Sequence, residues 1–279
     1  MKYRFSLEIS IRPYLRDHAV EGKAVFPAVE SLAALAGEVQ KHCPGALLRC
    51  LADVKFPRML VMESAADAQS VQVEIEERAQ GIQASLQTTM AAKNSSVRRA
   101  LEHARVTFVQ KDVPPDAAVP FQTAWKLRDV PLSVSADSIY RELVPFGLSY
   151  RNITGSLEVS RDGARAEISG GSGAADDTLL GSPFVLDAAM HAACVWGQRF
   201  AGIVAFPTGF DRRIIHRATK MGETYFARVT PAAGGRGFLR FDAWIFDRQE
   251  MLCESIRGLV MSDIFRGRLK PPRWIREGT

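Results

Sequence analysis

The sequence predicts an α+β protein in which one long helix packed by antiparallel strands occurs twice. Two observations predict it. In each half, a segment with helical apolar spacing or an all-round apolar face sits among short alternating segments, and the order strand, helix, strands recurs at about half the chain length. The chain has 279 residues, 47% apolar and 24% charged, enough to bury one large core or two modest ones.

Tyr3 to Ile11 alternate polar and apolar side chains and read as a strand. A turn-like stretch, Asp17 to Gly22, follows. Pro27 then opens a segment in which Val29, Leu32, Ala33, Leu35, Ala36 and Val39 recur at three- and four-residue spacing, a helix with one buried face. Proline suits the first helical turn, where its missing N–H has no intrahelical partner, and Pro44-Gly45 ends the helix. Val54 to Met62, Val71 to Glu77, Gln83 to Met90 and Arg105 to Val109 read as strands. Between Lys111 and Ser133, Pro114, Pro115, Pro120 and Pro131 predict an extended linker. This divides the chain into residues 1–118 and 119–279.

In the second half, Ile153 to Val159 and Ala164 to Ser169 read as strands. Ser182 and Pro183 are a cap and first turn for a helix from Phe184 to Phe200, apolar nearly all round, as expected of a helix enclosed by a sheet. Tyr225 to Val229, Phe238 to Phe246 and Met251 to Met261 are further strands. A long helix wrapped by an antiparallel sheet, present twice, is the layout expected of a double hotdog; periodicity permits that fold without naming it.

No apolar run approaches the ~20 residues needed to span a bilayer, and the N-terminus lacks a signal peptide's apolar core, so a cytoplasmic protein is expected. Cys43, Cys50, Cys194 and Cys253 form no CxxC pair or metal-type cluster with the histidines, so they read as reduced thiols and no metal is expected. The net charge of +5, with arginines at Arg212, Arg213 and Arg217 and from Arg266 to Arg276, favours an anionic partner. Without a zinc finger, helix-turn-helix or RRM signature, an acidic protein or a phosphate-bearing group is expected rather than nucleic acid. No GxSxG, P-loop or GxGxxG unit is present.

Two places could carry chemistry. His18-Ala-Val-Glu-Gly22-Lys-Ala-Val-Phe-Pro27 sets a histidine before the first helix. Gly22 permits close backbone approach, and the free N–H groups at the helix start can bind an oxyanion. A base near neutral pKa beside an oxyanion site is what proton removal next to a carbonyl requires. In the second half, Asp187 and His191 lie one turn apart on one helical face. Apolar neighbours would raise the Asp187 pKa and let it hold a proton to donate, whereas the helix dipole would lower it; the sequence leaves both open.

HAVEGKAVFP, DVKFPRML, FGLSYRNI, SPFVLDAAMHAA and FPTGFDR, in this order over essentially the whole chain, resemble the dehydratase domains of modular polyketide synthases and animal-type fatty acid synthases. The resemblance implies a pseudo-dimeric double hotdog that removes water from a 3-hydroxyacyl thioester on acyl carrier protein. It implies His18 as the base, Asp187 as the acid and His191 as its support, with the Gly22 backbone on the thioester oxygen and Pro27 at the helix start. Phe146-Gly147-Leu148-Ser149-Tyr150 stands at the family's YGxxF, so the phenol expected on the substrate hydroxyl is missing from its usual place and Tyr150 is the nearest substitute. Ser182 and Ala28 stand where the family usually has histidine and glycine.

A discrete enzyme acting in trans, or equally a domain excised from a longer protein, is expected, with Arg212, Arg213 and Arg217 contacting the carrier or its phosphopantetheine phosphate. No cofactor beyond that arm is expected. Coenzyme A is the alternative carrier, and a homodimer is left open. A hydratase, a double-bond isomerase and a noncatalytic acyl-binding or scaffold module are the alternative functions.

Overall fold

The computed structural model of the chain describes residues 1–91, 98–111, 119–172, 179–235 and 237–277. Strand β1 (Lys2–Ser10) leads through a 3-10 turn (Pro13–Asp17) into the hairpin of β2 (Ala19–Val20) and β3 (Lys23–Phe26), then helix α1 (Ala28–His42). β4 (Cys50–Lys55), β5 (Leu60–Val61), β6 (Ala68–Arg78), β7 (Gly81–Ala91) and β8 (Arg98–Val109) complete the first half. The second half runs α2 (Phe121–Trp125), β9 (Leu132–Ser135), the single turn α3 (Ala136–Ser138), a π turn (Ile139–Leu143), β10 (Ile153–Ser160) and β11 (Gly163–Ser169). Helix α4 (Pro183–Trp196), β12 (Phe206–Ile215), β13 (Thr224–Gly235), β14 (Phe238–Asp247), β15 (Leu252–Ser262) and α5 (Arg273–Glu277) follow.

Twelve strands form one antiparallel sheet in the order β1-β6-β7-β8-β4-β12-β15-β14-β13-β11-β10-β9, and β2, β3 and β5 form a second, small one. The large sheet is continuous because β4 pairs with β12, Phe210 opposite Val54 and Gly209 opposite Lys55. At that join a side chain on residue 209 would collide with the Val54 carbonyl, and the backbone there has φ +152°, so glycine is required. Each half of the sheet wraps one helix, the double hotdog layout. Leu32, Leu35, Ala36 and Val39 of α1 are fully buried, at about 1.5–3 kcal/mol for each large side chain. From Pro183 to Val195 every residue of α4 is buried, because α4 packs against β11 and β13 and also against α1, which explains its lack of a polar face. No helix among the described residues is long and apolar enough to cross a membrane.

The structure departs from the sequence expectations in four places. Pro27 is the N-cap of α1 in extended conformation rather than a residue of its first turn. The stretch from Val54 to Met62 is two strands separated by Phe56–Met59. Within the expected linker, residues 112–118 lie outside the described residues, while the remainder holds α2 and β9. Phe121 and Trp125 of α2 pack on Phe226, and buried Arg228 donates to the Ala124 carbonyl at 2.9 Å, which pins the helix to the sheet. Finally, Phe206–Ile215 is a central strand.

Candidate active site

His18 closes the 3-10 turn and opens the β2–β3 hairpin. Its N–H donates to the Leu15 carbonyl at 3.2 Å, and its carbonyl accepts from Val25 N–H at 2.8 Å. The ring Nδ1 lies 2.9 Å from the Val25 carbonyl oxygen. A carbonyl can only accept, so Nδ1 carries the proton and Nε2 presents a lone pair. Burial pushes the His18 pKa below the ordinary 6.5, against the opposing pull of the Asp187 charge and the Val25 hydrogen bond. The ring is neutral and competent as a base at neutral pH.

Asp187 and His191 face the same cavity from α4, 5% and 4% exposed. Asp187 Oδ2 lies 2.9 Å from His191 Nε2. Behind His191, the Tyr140 hydroxyl accepts from Ile153 N–H at 2.7 Å and lies 3.4 Å from His191 Nδ1. With its lone pair taken by Ile153, the phenol turns its proton toward Nδ1, which leaves the His191 proton on Nε2, facing Asp187. Burial raises the Asp187 pKa, but the His191 charge and hydrogen bond, with His18, outweigh it and hold the carboxyl below its ordinary value. Of the two shifts the sequence left open the downward one prevails, and histidine neighbours contribute the pull. A proton available here belongs to the Asp187–His191 pair rather than to the carboxyl alone.

The cavity measures about 360 Å³. It is lined by His18, Ala28 and Leu60 from the first half and by Phe146, Asp187 and Met190 from the second, among others. Phe146 packs between the two histidines, 4.3 Å from the His18 ring and 5.2 Å from His191. A clamp joins the halves beside it. The Asp17 Oδ2 accepts from Ser149 N–H at 2.8 Å and Ser149 Oγ–H at 2.7 Å, and Gly147 N–H donates to the Asp17 carbonyl at 2.7 Å. A side chain on residue 147 would collide with the Asp17 carboxylate, which accounts for Gly147.

The Tyr150 ring stands edge-on to His18 at 5.1 Å, and its buried hydroxyl has no partner among the described residues. A phenol therefore stands beside His18, behind the cavity wall rather than on it. Sequence reasoning missed Glu30, a buried carboxyl in the first turn of α1 that accepts from the Tyr14 hydroxyl at 3.0 Å. It also missed Asp17, Arg58, His103 and Tyr140. Only Asp17, an acid directly before His18, carried a readable signal.

Three assignments need correction. Gly22 lies at the tip of the hairpin, exposed, at φ +74° with open space around it and away from the cavity. It serves the turn and not a thioester oxygen. The helix-start N–H groups are better placed, because Ala28 lines the cavity and its N–H has no intrahelical acceptor. Arg213 is 3% exposed, paired with fully buried Glu254 at 2.8 Å and bonded to the Leu180 carbonyl before α4. It braces the start of α4 and cannot meet a carrier. Arg217 pairs with Asp247 at 2.7 Å. It lies in the bend that follows β12, nine residues beyond cavity-lining Thr208. Arg212 is half-buried in the sheet between Ala52 and Arg257. Ser182 donates its hydroxyl to the Gly170 carbonyl at 2.6 Å and does not cap α4 with its side chain.

A family model described as polyketide synthase dehydratase domain matches residues 2–110, and one described as polyketide synthase dehydratase N-terminal domain matches residues 118–270. The chain belongs to the polyketide synthase dehydratase family. Among solved structures, a trans-AT polyketide synthase dehydratase domain from Brevibacillus brevis is similar at TM-score 0.73 and 19% identity, covering 94% of each chain. The dehydratase domain from the CurF module of curacin polyketide synthase is similar at TM-score 0.72 and 17% identity, covering 94% of this chain and 93% of that one. A polyunsaturated fatty acid synthase subunit of Thraustochytrium sp. is 26% identical over 244 residues, 80% of this dehydratase-family chain and 8% of that much longer protein.

Proposed function

We propose that the protein removes water from a 3-hydroxyacyl thioester, carried by acyl carrier protein, to give a 2,3-enoyl thioester. One observation carries this reading. A neutral imidazole with a free Nε2 and a carboxyl–imidazole pair 2.9 Å apart line one largely apolar cavity, from opposite halves of the chain.

His18 Nε2 takes a proton from C2, which the adjacent thioester acidifies. The Ala28 N–H at the start of α1 stabilises the negative charge that develops on the thioester oxygen. The Asp187–His191 pair, when it holds one proton beyond a carboxylate and a neutral imidazole, gives that proton through Asp187 to the C3 hydroxyl, the C3–O bond breaks, and water leaves as the C2–C3 double bond forms. The proton on His18 and the one lost from the pair balance through solvent before the next turnover. Two proton transfers need no redox group, so no cofactor beyond the phosphopantetheine arm is proposed. Residues 1–118 supply the base and residues 119–279 the acid, as two hotdog units.

Incubation with a 3-hydroxyacyl carrier protein, followed by ultraviolet absorbance of the conjugated enoyl thioester, tests the proposal. Conjugation is expected with the wild-type protein. Tight thioester binding without conjugation would instead identify an acyl-binding module, and a shifted double bond an isomerase.

A further inference from the structure

Arg58 is a permanent cation at the rim of the cavity of His18 and Asp187. Arg58 belongs to the Phe56–Met59 connection between β4 and β5, and it is the only lysine or arginine among the described residues that line the cavity. Its side chain is exposed, and no carboxylate pairs with it among the described residues, whereas Arg141, Arg165, Arg213, Arg217, Arg228 and Arg257 each hold one. The segment that carries it is braced. Phe56 N–H donates to the Thr208 carbonyl and Met62 N–H to the Ala24 carbonyl, both at 2.9 Å, and Leu60 is in register with Phe26. Neighbouring His103, which donates to or accepts from Thr88 at 2.8 Å, is held below its ordinary pKa by burial and adds no charge.

The cavity is therefore polarised along its length. Met190 and Cys194 continue the stripe of α4 that begins at Asp187 and offer an apolar limb for an acyl chain. Arg58 stands on a braced loop beside exposed Pro57, where a polar arm would enter. An unpaired guanidinium at a cavity mouth attracts an anion, and its planar fork matches the oxygens of a phosphate. We propose that Arg58 is the phosphate subsite for the phosphopantetheine arm of the substrate, with the arm running from Arg58 inward to the thioester at His18. This rests on the thioester reading above, and it moves the anion contact from the Arg212–Arg217 strand to the cavity mouth.

The test separates the subsite from the reaction. Phosphopantetheine and pantetheine are titrated into the wild-type protein, Arg58→Ala and Arg58→Lys, with binding followed by NMR shifts of cavity methyl groups. The wild type is expected to prefer the phosphorylated arm by about tenfold, as for one partly exposed charge-assisted contact. Arg58→Ala should lose that preference and Arg58→Lys keep part of it. Equal binding of both compounds by the wild type would overturn the proposal. In turnover, Arg58→Ala should lower kcat/KM for carrier-bound and coenzyme A thioesters alike, by about tenfold relative to the phosphate-free N-acetylcysteamine thioester. A loss confined to the carrier-bound substrate would mean a contact with the carrier surface and would also overturn it. Phosphate preference without water release would sink the dehydratase reading and support the subsite. Water release without phosphate preference would do the reverse.

Discussion

Replacing Asp17 by alanine should weaken both the fold and the reaction, because this one carboxylate holds the His18 turn against the loop that carries Phe146 and Tyr150. It removes two hydrogen bonds to a charged oxygen, from Ser149 N–H and Oγ–H at 2.8 and 2.7 Å. Such bonds contribute about 1.5–3 kcal/mol each. Both end on the same Oδ2 of a half-buried residue, and water regains access to the freed donors, so the sum falls to about 2 kcal/mol. Urea denaturation should show a lower midpoint at unchanged slope. The reaction suffers separately. A displacement of about 1 Å between base and acid can cost about 100-fold, so kcat should fall about 10- to 100-fold with KM nearly constant. Asp17→Asn, which keeps one acceptor, should be intermediate. Unchanged kcat in a destabilised Asp17→Ala protein would refute the claim that this clamp sets the catalytic geometry.

Three further outcomes follow from the same structure. Burial raises the Glu30 pKa to about 7 from 4.5, against the Tyr14 hydrogen bond. The folded state thus holds a proton that the unfolded chain has released, so stability falls as pH rises from about 4.5 to about 7 and levels off above. Glu30→Gln, followed by denaturation across pH, should remove that slope and stabilise the protein by about 2–3 kcal/mol near pH 8. Because the His18 pKa lies below 6.5, kcat/KM should hold as pH falls to that value and drop only beneath it. Where residual turnover allows a profile, Asp187→Asn should move that limb further down, since the Asp187 charge pulls the His18 pKa upward. Tyr140→Phe leaves the buried Ile153 N–H unsatisfied, at about 1–3 kcal/mol in denaturation, and frees the His191 ring, lowering kcat about tenfold without raising KM.

Much of this architecture was legible in the order of residues, and the exceptions have physical causes. Helix α1 showed its apolar stripe, and α4 its all-round apolar character with Ser182-Pro183 at the start; both lie within a few residues of expectation. Strand β12 was hidden because Pro207, Gly209, Asp211, Arg212 and Arg213 break any two-residue alternation. They are tolerated because β12 crosses between the halves, where Gly209 approaches β4 and Arg213 finds a buried carboxylate. Helix α2 is too short for periodicity and depends on aromatic contacts with residues more than a hundred positions away. His18, Asp187 and His191 stood out through motif spacing together with the family resemblance, and the fold brings all three to one cavity. Their partners were not: Tyr140 and Ser149 acquire roles only when the chain brings them against His191 and Asp17. Arg213 misled because a charged side chain in sequence does not announce the buried Glu254 that neutralises it.

The account rests most heavily on His18 and Asp187 acting as one catalytic unit across the two halves. Mass spectrometry of a 3-hydroxyacyl carrier protein, incubated with the wild type, His18→Ala and Asp187→Asn, addresses this directly. Loss of one water's mass is expected with the wild type and reduced about 100- to 10,000-fold in rate with either variant. Equal water loss with all three proteins would show that these side chains do not carry the chemistry.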